Sequence, residues 1–429
     1  MKKSLIAIAA LAAVGAASAQ SSVTLYGLAD VYAGQSKQTV DLPVGSDETL
    51  GFTSKTKSTG FKSGGLQGSR IGVKGVEDLG NGLKAVFNYE LGFNAVNGNL
   101  DRSLSADAVE GVLYDVVAGA AVPGAMNAAG MYGLVAAGLN GLNSAGNIGF
   151  NRRAVVGLQG DFGSVLLGRD YTPLFNLLNA STADALSSFD TTNLKTDRVN
   201  GVHYAGNFSG VGVQAFASYD KKTVSLFNSA LAPADTINAQ FKSQGYGLGV
   251  SYANGPFMVG AAAQYFKNDA ESLLATITST SGSQTRATAK TTEVGVGGSY
   301  DFGPAQLFAN YVQQRTKGTT TDVDAGVTTF AAKTKAEEAN IGVKVPFGAA
   351  SLIAEYGHNR VKAYNADGSL ARKAKGNDWL VGANYAFSKR TDVYARVGRN
   401  NDLKTRTAAG DLARSGKTEN VAVGLRHKF

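Results

Sequence analysis

The side chains able to do chemistry in this sequence are charges set at alternate positions. Arg70 and Lys74 share one parity, opposite Ile71 and Val73. Lys84 lies opposite Leu83 and Ala85, Arg153 opposite Ala154, Val156 and Leu158, and Arg396 opposite Val393, Ala395 and Val397. Glu90 and Glu355 fall on polar faces of the same kind. Asp184 and Asp190 stand in a polar stretch from Tyr171 to Thr196 that follows Asp170, and Arg198 comes directly after it. Arginine keeps its charge at any working pH and presents a planar, directed fork. Acids on one side of a wet passage and bases on the other make a transverse field that orients small polar solutes, and an excess of arginine favours anions.

Catalysis finds no support. The three His, at 203, 358 and 427, are scattered over separate segments. There is no HExxH pair, no phosphate loop and no GxSxG elbow. Gly295, Gly297 and Gly298 imitate part of a dinucleotide fingerprint, but they sit in an alternating run and not at the start of a helix. No catalytic, cofactor-binding or metal-ligating residue is expected, and no cofactor. An outer-membrane enzyme would need a Ser and a His paired on one wall. The formal net charge of +8 is not gathered into a stripe and no recognition module accompanies it, so no nucleic-acid partner is expected. The absence of Cys leaves stability to backbone pairing and packing.

The elements that must carry these charges are strands. Residues 1–19 read as a secretory leader: Lys2 and Lys3, an apolar run from Leu5 to Val14, then Ala17-Ser18-Ala19. After it, hydrophobic residues come in short runs of period two. Leu83, Ala85, Phe87, Tyr89 and Leu91 form one; Tyr246, Leu248, Val250 and Tyr252 a second; Trp379, Val381, Ala383, Tyr385 and Phe387 a third. A soluble β-sandwich also alternates. Runs of about 9 to 12 residues, aromatic ends on the apolar faces, and Gly, Asn, Ser, Lys, Arg and Glu on the other face favour strands that cross a bilayer. Turns are alternately short, as at Asp161–Ser164 and Asp301–Pro304, and long, as at Lys221–Lys242 and Asn268–Lys290. The expected fold is all-β: a closed transmembrane antiparallel β-barrel of about 16 strands enclosing an aqueous channel.

Several stretches resemble a known family. They are Ser22-Val-Thr-Leu-Tyr-Gly-Leu-Ala-Asp30, Gly68–Ala85, Gly157–Gly163, Leu167-Gly-Arg-Asp-Tyr-Thr-Pro173 and Val423-Gly-Leu-Arg-His-Lys-Phe429. Together they are similar to the trimeric general porins of β-proteobacteria such as Burkholderia and Bordetella, over nearly the whole of 20–429. The resemblance implies a homotrimer of 16-stranded barrels in the Gram-negative outer membrane. Each pore passes small hydrophilic solutes and ions and is narrowed by the third loop, Tyr171–Thr196, folded inward. The family's constriction arginines align with Arg70, with one of Arg152 and Arg153, and with Arg198. Lys74, Lys84, Asp184 and Asp190 complete the expected constriction, which would lean toward anions. The terminal Phe429 resembles the signal read by the barrel assembly machinery, and lipopolysaccharide and outer-membrane lipid are expected around the wall. Asp101–Asn147, rich in Ala and Gly, departs from the pattern as an insertion in the second outer loop, suited to trimer contact, to cover of the pore mouth or to neither. A substrate-specific channel, or an adhesin anchored by a barrel, is the alternative reading. The lumen-side aromatics Tyr26, Tyr32 and Tyr394 are sparse for the former.

Overall fold

The computed structural model describes residues 22–44, 47–100, 149–192, 194–227, 236–272, 285–322 and 326–429. The expected leader and the 101–147 insertion lie outside the described residues. Alternating Val, Leu, Tyr and Thr against Gly, Asn and charged residues folds into hairpins wherever a tight turn allows reversal. At 80–83 the turn is carried by Asn81 and Gly82, both at positive φ, and at 209–210 by Ser209 and Gly210. Two successive left-handed residues give the twist that matches neighbouring strands.

The first half of the chain supplies β1 (Ser22–Val44), β2 (Asp47–Ser63), β3 (Arg70–Gly80), β4 (Leu83–Gly92), β5 (Arg153–Gly160), β6 (Gly163–Tyr171), a short helix α1 (Pro173–Ala180) and β7 (Arg198–Phe208). Then come β8 (Val211–Phe227), β9 (Thr236–Asn254), β10 (Phe257–Ser272), β11 (Thr285–Asp301) and β12 (Gln306–Asp322). The chain closes with β13 (Thr328–Phe347), β14 (Ala350–Tyr364), β15 (Leu370–Ala386), β16 (Thr391–Thr407) and β17 (Leu412–Lys428). Every neighbour is antiparallel, and β1 pairs with β17 from Leu28↔Lys428 to Asp41↔Ser415, so the sheet has no open seam there.

The seventeen segments make a wall of sixteen strands, because β2 and β3 share one place. The upper part of β1 pairs with β2 from Val31↔Ser63, its lower part with β3 up to Leu28↔Arg70. Between them the chain leaves the wall at 64–69. Most outer segments expected as loops are in fact strand: β8 and β9 stay paired to Phe227↔Thr236, and β10 and β11 to Ser272↔Thr285. Pairing beyond the bilayer satisfies backbone groups as well as water does, so strands of 17 residues outrun the bilayer-spanning length.

The faces are inverted relative to a soluble barrel. Leu248, Val296, Ile341, Val381 and Val423 stand exposed on the outside, while Gln264, Glu293, Asn310 and Glu338 are buried within. Exposed aromatics gather near the short turns, as with Phe162, Phe208, Phe302 and Phe387, and again higher up, as with Tyr219, Tyr246, Tyr356 and Trp379. Phe429 joins the last strand to the first: its amide and carbonyl pair with those of Gly27 at 3.0 and 2.9 Å. Its ring fills the space a Cβ at position 27 would need, 2.2 Å away.

Candidate pore constriction

The segment after β6 turns into the barrel as a helix for local reasons. Thr172 caps α1, its hydroxyl accepting from the Phe175 amide at 3.2 Å, and Pro173 supplies a preset φ in the first turn. The same hydroxyl donates to the Thr196 carbonyl at 2.6 Å, tying the loop's start to its end. Leu174, Leu177 and Leu178 are buried against Ala262 and Val312. Glycines on the inner wall make room: a Cβ at Gly249 would meet Pro173 at 2.8 Å, at Gly260 Leu177 at 2.8 Å, and at Gly295 Leu174 at 2.5 Å. The trail continues past the helix, with Gly297 under Ser181, Gly342 under Ala183 and Gly357 under Thr191. Gly295 and Gly297, which imitated a nucleotide motif, are seats for this loop.

The loop's tip is fastened at three places. Asp184 accepts two bonds from Arg396, from Nε at 3.0 Å and Nη2 at 2.5 Å, and a third from the Ser187 hydroxyl. The Asp184 amide donates to Glu355 Oε1 at 2.7 Å. Farther on, Ser188 bonds through its amide and hydroxyl to the carbonyls of Gly65 and Gly64, in the break between β2 and β3. That break is itself held by Asp30, which is fully buried and accepts from the Leu66 and Gln67 amides and the Tyr394 hydroxyl at 2.8, 2.8 and 2.6 Å. Phe189, Leu66, Leu380, Tyr394 and Ala422 pack together beneath it. Asp190 is buried and accepts from the Thr192 amide at 2.6 Å. Burial pushes its carboxyl up to about 7, with Asp184 and Asp197 adding to the rise and Lys195 opposing it.

The wall that this loop does not cover, on β3 to β7, carries a basic cluster. Glu90 sits between two guanidinium groups, Arg70 Nε at 3.2 Å and Arg152 Nε at 2.7 Å. The Tyr26 hydroxyl donates to Asn88 at 2.8 Å and to Glu90 at 3.2 Å. The Tyr171 hydroxyl accepts from Arg152 at 3.2 Å and from Arg198 at 3.1 Å, and the Arg198 guanidinium lies 4.5 Å from the centre of the Tyr171 ring. Tyr171 also stacks on Phe175 of α1 at 4.6 Å, joining cluster and loop. Arg153 pairs with Asp170 at 2.6 Å, its side chain about one third exposed.

The structure therefore groups Arg70, Arg153 and Arg198 within one stretch of wall, with Lys74 below them, its ammonium 5.5 Å from the Tyr26 ring centre. Lys84 does not join them: it stands beside the 80–83 turn, six residues along β4 from Glu90, roughly 20 Å of strand. Asp184 and Asp190 were expected to face the arginines across the lumen. They are each 6 % exposed and turned to the wall, because a buried guanidinium and backbone amides solvate them there. Arg396, also an inward candidate, is spent on Asp184. Missed from the sequence were Tyr171, whose parity matches the outward Leu167, and the linking role of Glu90. The chain curls inward after Tyr171, which parity cannot show.

A closed sixteen-stranded barrel, apolar outside and charged inside, with one loop laid across its lumen, defines a channel of the bacterial outer membrane. A family model described as Gram-negative porin matches residues 5–405. The chain is 27 % identical to outer membrane porin protein 32 of Delftia acidovorans over a 452-residue alignment covering all of both chains. It is 28 % identical to an outer membrane porin protein of Bordetella pertussis over 327 residues, covering 73 % of this chain and 69 % of that one. Among solved structures, the anion-selective porin from Comamonas acidovorans superposes with a TM-score of 0.56 at 22 % identity, covering 96 % of this chain and 100 % of that chain. The chain belongs to the Gram-negative porin family and is a multi-pass β-barrel of the outer membrane.

Proposed function

We propose that this porin passes small hydrophilic solutes and ions by diffusion with a preference for anions. Its constriction lies between the third loop and the wall bearing Arg70, Arg152, Arg153 and Arg198, with Lys74 in the approach below. One observation carries this reading: of the loop's acids, Asp184 is paired with Arg396 and Asp190 is buried, while the arginines cluster on the wall that the loop leaves uncovered. Glu90 and Asp170 offset part of that charge and leave a basic excess. The printed description of the Comamonas acidovorans relative, anion-selective, agrees with it. The test is the reversal potential of the purified protein in a planar bilayer under a potassium chloride gradient. An anion-leaning potential that moves toward zero in the R70A/R152A/R198A variant is expected. A cation-leaning wild type would overturn the electrostatic assignment while leaving the channel.

The working unit is a homotrimer. The outward mid-sections of β16, β17, β1 and β3 carry aliphatic residues such as Val397, Val423, Leu25 and Ile71, and among the described residues no exposed Tyr or Trp stands on them. A surface that meets protein has no need of interfacial Tyr and Trp. Conductance steps in threes are expected, and single steps would argue for a monomer. Residues 1–19 act as the leader, 20–429 form the porin domain, and Phe429 serves in recognition by the assembly machinery. Replacing Phe429 by Ala should lower the yield of inserted barrel in vivo.

A further inference from the structure

The rim of the constriction can be followed as one ring of contacts. It leaves the arginine wall at Tyr171, whose ring stacks on Phe175 at 4.6 Å and whose hydroxyl accepts from Arg152 and Arg198. It continues along α1 and the loop tip to Ser188, which bonds to the carbonyls of Gly65 and Gly64. It returns to the arginines through the same break in the wall: Arg70 donates to the Gly68 carbonyl at 3.1 Å, and a Cβ at Gly68 would meet Arg152 Nη1 at 2.6 Å. A span tied at both ends to one wall must face that wall across whatever opening is left.

The two halves of this ring differ in kind. The wall half is cationic, with Glu90 and Asp170 already bonded to its arginines. The loop half is uncharged. Helix α1 turns Pro173, Leu174, Leu177 and Leu178 into the protein. The 3.6-residue turn then leaves Phe175, half-buried, and Asn179 and Ala180, both exposed, on the opposite side. At the tip the chain reverses through Ala185 and Leu186, at φ 52° and 51°. Consecutive left-handed residues other than Gly persist only where their surroundings hold them. Here the Asp184–Arg396 pair holds one side and Ser188 the other. The turn buries Asp184 and Ser187 and leaves Ala185 exposed, with Leu186 half-buried against the leucines of α1. Of the acids after Tyr171, Asp184 and Asp190 therefore lie behind the rim, and Asp197 lies at its root next to Arg198. The span itself offers the arginines apolar and neutral side chains.

We propose that this uncharged half of the rim selects among the anions that the arginines draw, favouring small carboxylates with an apolar body over those whose body carries hydroxyl groups. The proposal rests on the anion-passing constriction above and names its class of solute. A carboxylate pairs with the planar guanidinium forks, and the rest of the solute lies along Phe175, Ala180, Ala185 and Leu186. Apolar atoms gain by leaving water there, while a hydroxyl brought to the same surface loses water and finds no partner. Both effects are small at a half-open rim, which suits a pore, since a solute held briefly also leaves.

The test uses the purified protein in a planar bilayer in potassium chloride at pH 7, with butyrate or 4-hydroxybutyrate added. The two anions share their charge and carbon chain and differ in the terminal hydroxyl. The concentration of each that halves the chloride conductance is read. Butyrate should act at about one quarter of the 4-hydroxybutyrate concentration, the worth of roughly one methylene removed from water. Equal action of the two, including none, or a stronger action of 4-hydroxybutyrate, would overturn the proposal without any variant. In A180S/A185N the ratio should fall below about twofold. Asn tolerates the left-handed region, so the tip keeps its turn. A ratio unchanged in that variant would place the selection off the loop and overturn the proposal also. The reversal potential is read in the same membranes. A cation-leaning potential refutes the arginine assignment, whereas an anion-leaning potential with equal action of the two probes refutes the role of the loop alone.

Discussion

The two halves of the lumen wall are built on opposite plans. On β9 to β14, the inner face offers glycines where the third loop passes, and buried acids and amides between them: Glu293 accepts from Gln264, Gln314 and Thr196, and Glu338 from Asn340. On β3 to β7, the wall carries arginines held by Glu90, Asp170 and Tyr171, which we propose line the passage. The first wall is a dock, where most of the buried polar groups are bonded within the protein. The second is the proposed passage, where the charges are positioned by protein and would be completed by water and ions. The contrast teaches that a charge inside a barrel is not thereby a charge in the pore; what covers it decides.

The sharpest way to break the comparison is on the docking side. Arg396→Ala would leave Asp184 buried without its partner, a change of about 3–5 kcal/mol. The loop should detach, seen as larger and noisier single-channel conductance, and D184A/R396A should recover part of the order. Filling a seat comes next. Gly295→Leu overpacks the ground under Leu174 and should cost about 1–3 kcal/mol in thermal unfolding. Gly318→Ala, where nothing lies within 4 Å, should change stability by less than about 0.5 kcal/mol.

On the passage side the effect is on selectivity. Glu90→Gln removes the negative charge between Arg70 and Arg152 and should raise anion preference, measured as a larger reversal potential in the sense opposite to the arginine variants. A potential unchanged by both kinds of substitution would place the narrowest point elsewhere. The smallest effect is that of pH on the loop tip. The Asp190 carboxyl lies higher in the fold, about 7, than in an unfolded chain, so the folded state binds the extra proton. Its contribution favours folding at low pH and is lost as pH rises through the interval from about 4 to about 7. Loop closures should become less stable over that interval. Asp190→Asn should flatten that dependence, and a wild-type profile with no slope there would refute it.

Much of this was legible beforehand. The period-two alternation, the short turns and the polar faces lead to a barrel of about sixteen strands, because in lipid only a closed sheet satisfies every backbone group. Parity also placed Arg70, Lys74, Arg153 and Glu90 on the inner face. It failed where the chain stops behaving as strand. Tyr171 carries outward parity and turns inward as β6 gives way to α1, and β2 breaks from β3 at residues no periodicity marks. The outer loops were drawn too long because Thr- and Lys-rich segments read as loop yet keep pairing.

The sequence by itself thus determined the barrel, the direction most strand residues face and the stock of inward charges, since these follow from the local geometry of a pleated strand. Only the tertiary structure decided which charges meet water. Asp184 and Arg396 are 212 residues apart and become one buried pair only when the third loop is laid on the far wall. That placement rests on packing and on long-range hydrogen bonds, and no local pattern encodes the partner across the lumen.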